Sequence, residues 1–82
     1  MTRVSFYGLL ADAMGRHLEV EVPKGGVSLG GLRERLAAER LGMAGELSAS
    51  RAKAWVRDTL AGEDDMIGPD DAVEFWPPVS GG

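Results

Sequence analysis

Apolar and polar residues alternate in four separate stretches of this chain, and each stretch predicts a strand. From Arg3 to Leu9, Val4 and Phe6 point one way and Ser5 and Tyr7 the other, the period of two of a half-buried strand. His17 to Val22 repeats the pattern, with Leu18, Val20 and Val22 opposed to His17, Glu19 and Glu21. Ala52 to Arg57 sets Ala54 and Val56 on one side, and Ala72 to Trp76 turns Val73 and Phe75 inward. Proline cannot donate to a ladder, so Pro77-Pro78 stops the last strand. Pro23-Lys24-Gly25-Gly26 and Gly68-Pro69-Asp70-Asp71 are turns by composition.

The period changes to that of a helix at Ser28, a good N-cap, after which Leu29, Leu32 and Leu36 recur at spacings of three and four. Arg33, Glu34, Glu39 and Arg40 are expected mostly away from that stripe, with Gly42 as the stop signal. Gly30 and Gly31 weaken the first turn by about 1 kcal/mol each relative to alanine, and nothing in the sequence explains them. Leu9 to Met14 has helical composition and is closed by Gly15, Met43 to Ser50 reads as a loop, and Leu60 to Ile67 as a turn with one very short strand. One main helix must therefore cover one face of a mixed sheet, an α+β architecture in two layers.

Composition narrows the function. The 82 residues suffice for one domain. With no cysteine, disulfides, thiolate metal sites and a thiol nucleophile are excluded. No run approaches the roughly 18 apolar residues of a membrane span and nothing resembles a signal peptide, so a cytoplasmic protein with no membrane partner is expected. The net charge of −4 lacks the basic stripe of a nucleic-acid binder. Proteins with basic surfaces are the expected partners.

Conventional catalytic groups are scarce. His17 is the single histidine and is read as a surface residue. Gly25 to Gly30 has a phosphate loop's outer glycine spacing, but Gly31 stands where its lysine would be. Glu63, Asp64, Asp65, Asp70, Asp71 and Glu74 lack the order of a calcium loop, so no metal is expected and a solvated acidic face is the reading. That leaves Pro77-Pro78-Val79-Ser80-Gly81-Gly82. Two glycines thread a narrow channel, and two prolines stiffen the stretch before them. Such a tail suits delivery of a terminal carboxylate into another protein's active site. A carboxylate needs activation, which implies an ATP-using partner. Displacement of AMP by sulfide would then leave a thiocarboxylate on Gly82.

The ending from Asp71 to Gly82 resembles that of the small, sulfur-carrier subunit of molybdopterin synthase, and the similarity runs at pattern level over the whole chain. The resemblance implies a ubiquitin-like β-grasp domain over 1–76, with the first and last strands parallel at the sheet centre, and an extended tail over 77–82. It implies adenylation of Gly82 by a ubiquitin-activating-type adenylyltransferase and conversion to a thiocarboxylate with a sulfur donor protein. The tail, Pro77 to Gly81 bearing Gly82, would then insert into the large synthase subunit, where sulfur passes to cyclic pyranopterin monophosphate. The small subunit would be a non-catalytic sulfur donor within a heterotetramer, with no permanently bound cofactor. Tyr7, Leu60, Phe75 and Trp76 are the expected partner-binding residues. Arg57 departs from the pattern, where asparagine is frequent.

Three other readings share these features: a thiamine-type sulfur carrier, a ubiquitin-like modifier whose carboxylate is attacked by lysine, and a binding module with an inert tail. If Trp76 belongs to a docking surface, Trp76→Asp weakens binding to the large subunit while leaving the fold intact. An unchanged dissociation constant would remove Trp76 from that surface.

Overall fold

The computed structural model describes residues 1–40, 42, 45–48 and 51–77. Pro78, Val79, Ser80, Gly81 and Gly82 of the expected tail lie outside the described residues. The elements run β1 (Thr2–Phe6), α1 (Leu9–Met14), β2 (His17–Val20), β3 (Val27–Ser28), α2 (Leu29–Glu39), β4 (Lys53–Val56), β5 (Thr59–Leu60), β6 (Met66–Ile67) and β7 (Ala72–Trp76). The four alternating stretches are all strands: Ala72–Trp76 as expected, the first shifted to start at Thr2 and end at Phe6, and the other two shortened. The weakly patterned stretch from Leu60 to Ile67 differs from expectation: it contributes to two short strands, because Leu60 pairs with β4 and Met66–Ile67 with β3.

Five strands form one sheet in the order β2-β1-β7-β4-β5. The central pair, β1 and β7, is parallel, with Val4 opposite Val73 and Phe6 opposite Phe75. The other neighbours are antiparallel. β3 and β6 make a separate two-stranded ladder. Val4, Phe6, Val20, Ala54, Val56, Val73 and Phe75 share one buried core with Leu29, Leu32 and Leu36 of α2. The alternation and the leucine stripe thus face each other as the two-layer reading requires. Among the described residues, no helix is long and apolar enough to cross a membrane.

The start of α2 accounts for Gly31. Ser28 Oγ accepts from the Gly31 amide at 3.0 Å, while the Leu29 and Gly30 amides donate to the carbonyls of Asp65 and Glu63 at 2.9 and 3.0 Å. Three of the N–H groups that a helix leaves unpaired at its start are therefore satisfied. A Cβ at position 31 would sit 3.0 Å from Val27 Cγ2 and 3.2 Å from Ser28 Oγ. Its absence lets β3 turn into the helix without crowding.

Arg33 corrects the sequence reading. It follows Leu29 by four residues and precedes Leu36 by three, so it flanks the apolar stripe, and only 7% of it is exposed. Its Nε donates to both carboxylate oxygens of Glu63 at 2.8 and 3.0 Å. Its Nη1 faces the carbonyls of Leu47, Ser48 and Ala52 at 2.8, 3.3 and 2.7 Å. The guanidinium carbon also lies 5.3 Å from the centre of the Phe75 ring, within range of a cation–π contact. One side chain thereby ties α2 to the segment before β4, to the loop after β5 and to the last strand.

The β4–β5 hairpin explains the departure at Arg57. Arg57 and Asp58 have φ of 51° and 62°, as a two-residue type I′ turn demands, and asparagine and glycine occupy such positions with least strain. Here Arg57 Nη1 donates to Asp71 Oδ1, and Asp71 Oδ2 accepts from the Gly68 amide at 2.7 Å. The Arg57 guanidinium, seconded by that amide, holds the Asp71 carboxyl below its ordinary range. The Gly68–Asp71 turn is in addition tied to β1 by Thr2 Oγ1, which donates to the Gly68 carbonyl at 2.7 Å.

Replacing Arg33 by methionine keeps apolar volume but orphans buried carbonyls, and is expected to cost about 2–3 kcal/mol in urea unfolding. A loss under about 0.5 kcal/mol would show that water replaces the guanidinium without penalty.

Candidate functional site

The face of the sheet turned away from α2 is built from the residues that alternate with the core. Arg3 and Ser5 come from β1, Glu74 and Trp76 from β7, Lys53 and Trp55 from β4, and Leu60 lies opposite Trp55 on β5. Apolar side chains are unusually prominent here: Trp55 is 38% exposed, Trp76 42% and Leu60 53%. Where β1 ends, Tyr7 lies flat on Trp76, with ring centres 4.0 Å apart and planes 5° from parallel. The Tyr7 amide continues the parallel ladder by donating to the Phe75 carbonyl at 3.2 Å. The last described residue, Pro77, follows directly from this stack.

One carboxylate sits within the aromatic surface. Glu74 faces Trp55 across β4, and its Oε2 accepts from the Tyr7 hydroxyl at 3.1 Å. That hydrogen bond, then partial burial, then the negative charge itself raise the Tyr7 phenol above its ordinary value. Tyr7 is therefore anchored at both ends, by its ring on Trp76 and by its hydroxyl on Glu74. Its orientation fixes that of Trp76, and with it the surface from which the chain leaves the sheet.

The other acids are distributed rather than pooled. Glu63 serves Arg33, Asp65 accepts from the Gly62 amide at 2.8 Å and Asp71 serves Arg57. Among the described residues no three acidic or histidine side chains come together as a metal site would require. His17 lies on the exposed face of β2, its Nδ1 3.1 Å from Ser5 Oγ.

No family model matches this sequence, and no curated protein matches it either. Solved structures do. Small archaeal modifier protein 1 (SAMP1) of Haloferax volcanii superposes with a TM-score of 0.78 at 21% identity, over 99% of this chain and 98% of that one. A protein of Pyrococcus furiosus described as molybdopterin converting factor subunit 1 gives 0.77 at 17% identity, over 95% and 97%. Urm1 of Trypanosoma brucei gives 0.72 at 22% identity, over 99% and 94%. The fold is the ubiquitin-like β-grasp. The mixed five-stranded sheet, its parallel central pair and the single main helix all belong to that architecture.

Within this β-grasp the expected partner-binding residues separate. Tyr7 and Trp76 form one stacked pair. Leu60 shares their face but reaches them only by way of Trp55, whose cross-strand partner it is. Phe75 requires correction: it is fully buried, stacked on Phe6 at 5.8 Å and lying under Arg33, so it supports the face from behind and cannot touch a partner. Trp55 is the residue that the expected set lacked. Its signal was its place between Ala54 and Val56, which puts any residue at 55 on the open side.

The chain holds a single tyrosine, so its ionisation can be followed directly by absorbance. A raised phenol favours the neutral form in the folded state. The stabilisation is present below the ordinary tyrosine range, near pH 10, and is lost as pH rises through the raised value. In Glu74→Gln the midpoint is expected to fall back toward that of free tyrosine. An unchanged midpoint would mean that Glu74 does not control Tyr7.

Proposed function

We propose that this protein is a sulfur carrier for molybdenum cofactor biosynthesis, in which the Gly82 carboxylate is converted to a thiocarboxylate and gives up its sulfur inside a molybdopterin synthase. The observation that carries the proposal is the junction of docking face and tail. β7 ends at Trp76 in the exposed aromatic stack, and the Pro-Pro-Val-Ser-Gly-Gly segment starts at the next residue. A partner seated on Tyr7, Trp55, Trp76 and Leu60 would receive the tail beside that contact. Binding energy from an apolar face is available to offset the ordering of a narrow, glycine-ended segment.

The chemistry divides between proteins. The chain lacks the lysine of a phosphate loop, so a ubiquitin-activating-type adenylyltransferase binds the ATP and carries out the activation. A carboxylate oxygen of Gly82 attacks the α-phosphorus and pyrophosphate leaves. Sulfide, delivered by a sulfur donor protein, attacks the acyl carbon and AMP leaves. The thiocarboxylate is ionised at neutral pH and nucleophilic; in the large subunit its sulfur attacks cyclic pyranopterin monophosphate, and water then cleaves the acyl–sulfur bond, leaving the sulfur on the pterin and restoring the Gly82 carboxylate. Carrying sulfur on the C-terminus requires no cysteine, in keeping with a sequence that has none. The likeness to a molybdopterin converting factor subunit supports this reading.

A second reading is favoured by one observation. Another structure of this fold bears the name small archaeal modifier protein, and a modifier uses the same activated glycine with lysine as the nucleophile. The products distinguish the two. Incubation with an adenylating partner, ATP and sulfide is expected to add about 16 Da, oxygen replaced by sulfur, on the C-terminal peptide. No gain, with the adenylating enzyme shown to act on another carrier, would overturn the carrier reading. An isopeptide to a target lysine would establish the modifier reading in its place.

A further inference from the structure

The two residues from which the tail departs are held by two consecutive residues at the end of β1. Tyr7 holds Trp76 by stacking. Gly8, the next residue, has φ 59° and ψ −138°, a conformation closed to ordinary L side chains. The space beside its Cα is also occupied. A Cβ built at Gly8 would lie 2.8 Å from Pro77 Cγ and 3.5 Å from Pro77 Cδ, the first distance well inside van der Waals contact.

These two constraints have different origins. A strand-to-helix junction accounts for the backbone angle, since the Gly8 carbonyl accepts from the Ala11 amide at 3.0 Å as α1 begins. It does not account for the proline. The Pro77 ring reaches Gly8 because β1 and β7 are parallel neighbours whose ends coincide, Phe6 standing opposite Phe75. Proline's own φ is fixed by its ring. A ring seated against a glycine therefore constrains both the position and the heading of the chain at residue 77.

We propose that Gly8 is a positioning residue for the carboxylate-bearing tail: it seats the Pro77 ring and so sets the direction in which the chain leaves the domain. The geometric part is independent of function, while its effect on turnover rests on the carrier reading above. A methyl group at position 8 displaces the ring, redirects the tail and lowers the fraction of docked encounters in which Gly82 reaches the activating site. Docking itself, made by side chains on the open face, is left in place.

The test uses the full chain with Ser80→Cys, a unique attachment point for a spin label because the sequence has no cysteine. Paramagnetic broadening of domain amides then reports where the tail is aimed. Gly8→Ala is expected to change which amides are broadened. In the unlabelled protein, Gly8→Ala is expected to lower kcat for adenylation about tenfold, with KM within about twofold. Pro77→Ala, which removes the ring without straining residue 8, is expected to change the broadening pattern and to lower kcat in the same sense. An unchanged broadening pattern in Gly8→Ala, or a rise in KM at constant kcat, would overturn the proposal. If Gly8→Ala fails to fold, Pro77→Ala carries the test with the position-8 backbone untouched, and an unchanged broadening pattern there overturns it equally. If the unsubstituted protein is not adenylated at all, the carrier reading fails, while the broadening measurement still decides the role of Gly8.

Discussion

The parallel pairing of β1 with β7 joins residues almost seventy positions apart, with Arg3 opposite Ala72 and Phe6 opposite Phe75, and most of the site depends on it. Parallel neighbours require a long crossover, and everything from α1 to β6 lies within that connection. Pairing of this kind is late and entropically costly relative to local contacts. Once made, it aligns two aromatic pairs on opposite faces of the same two strands. Phe6 stacks on Phe75 inside the core, and Tyr7 stacks on Trp76 outside it. The inner pair stabilises the register that the outer pair displays.

A domain of this size has a small core and compensates with one well-connected cation. Arg33 is buried yet partnered by Glu63, by loop carbonyls and by the face of Phe75. An aliphatic residue at that place would fill the space and leave the carbonyls of Leu47 and Ala52 without donors, and a buried acceptor without a donor is costly. The arrangement also joins the hidden side of β7 to the helix. The strand that ends in the candidate tail is thus held from behind by Arg33 through Phe75 and from the front by Tyr7 through Trp76.

The division of labour among the acidic residues follows the same economy. Asp71 steadies a hairpin turn with two left-handed residues, Glu63 neutralises the buried guanidinium, and Glu74 orients Tyr7. What looks in the sequence like an acidic cluster is, in the fold, a set of separate local supports. Carrier and modifier chemistry make the same demand on such a domain: an apolar docking face beside a thin, activatable end.

Local periodicity was sufficient to place the main elements. Alternation around Val4, Val20, Ala54 and Val73 gave strands, the leucines at 29, 32 and 36 gave the helix, and the turn residues gave most of the boundaries. Composition, with no cysteine and two glycines at the end, pointed to C-terminal chemistry. Periodicity assigns a residue to a face of its own element but says nothing about what that face meets. Arg33 therefore looked like a solvated charge until the carbonyls of another segment closed over it. Trp55 looked incidental until β4 lay beside Trp76. The two-residue strands β5 and β6 were too short to carry a period: β5 forms on the edge of β4, and β6 pairs with the equally short β3. Gly8 was one small residue between two elements; its left-handed backbone is a local matter, but the Pro77 ring that also fills the space beside it was brought there only by tertiary structure.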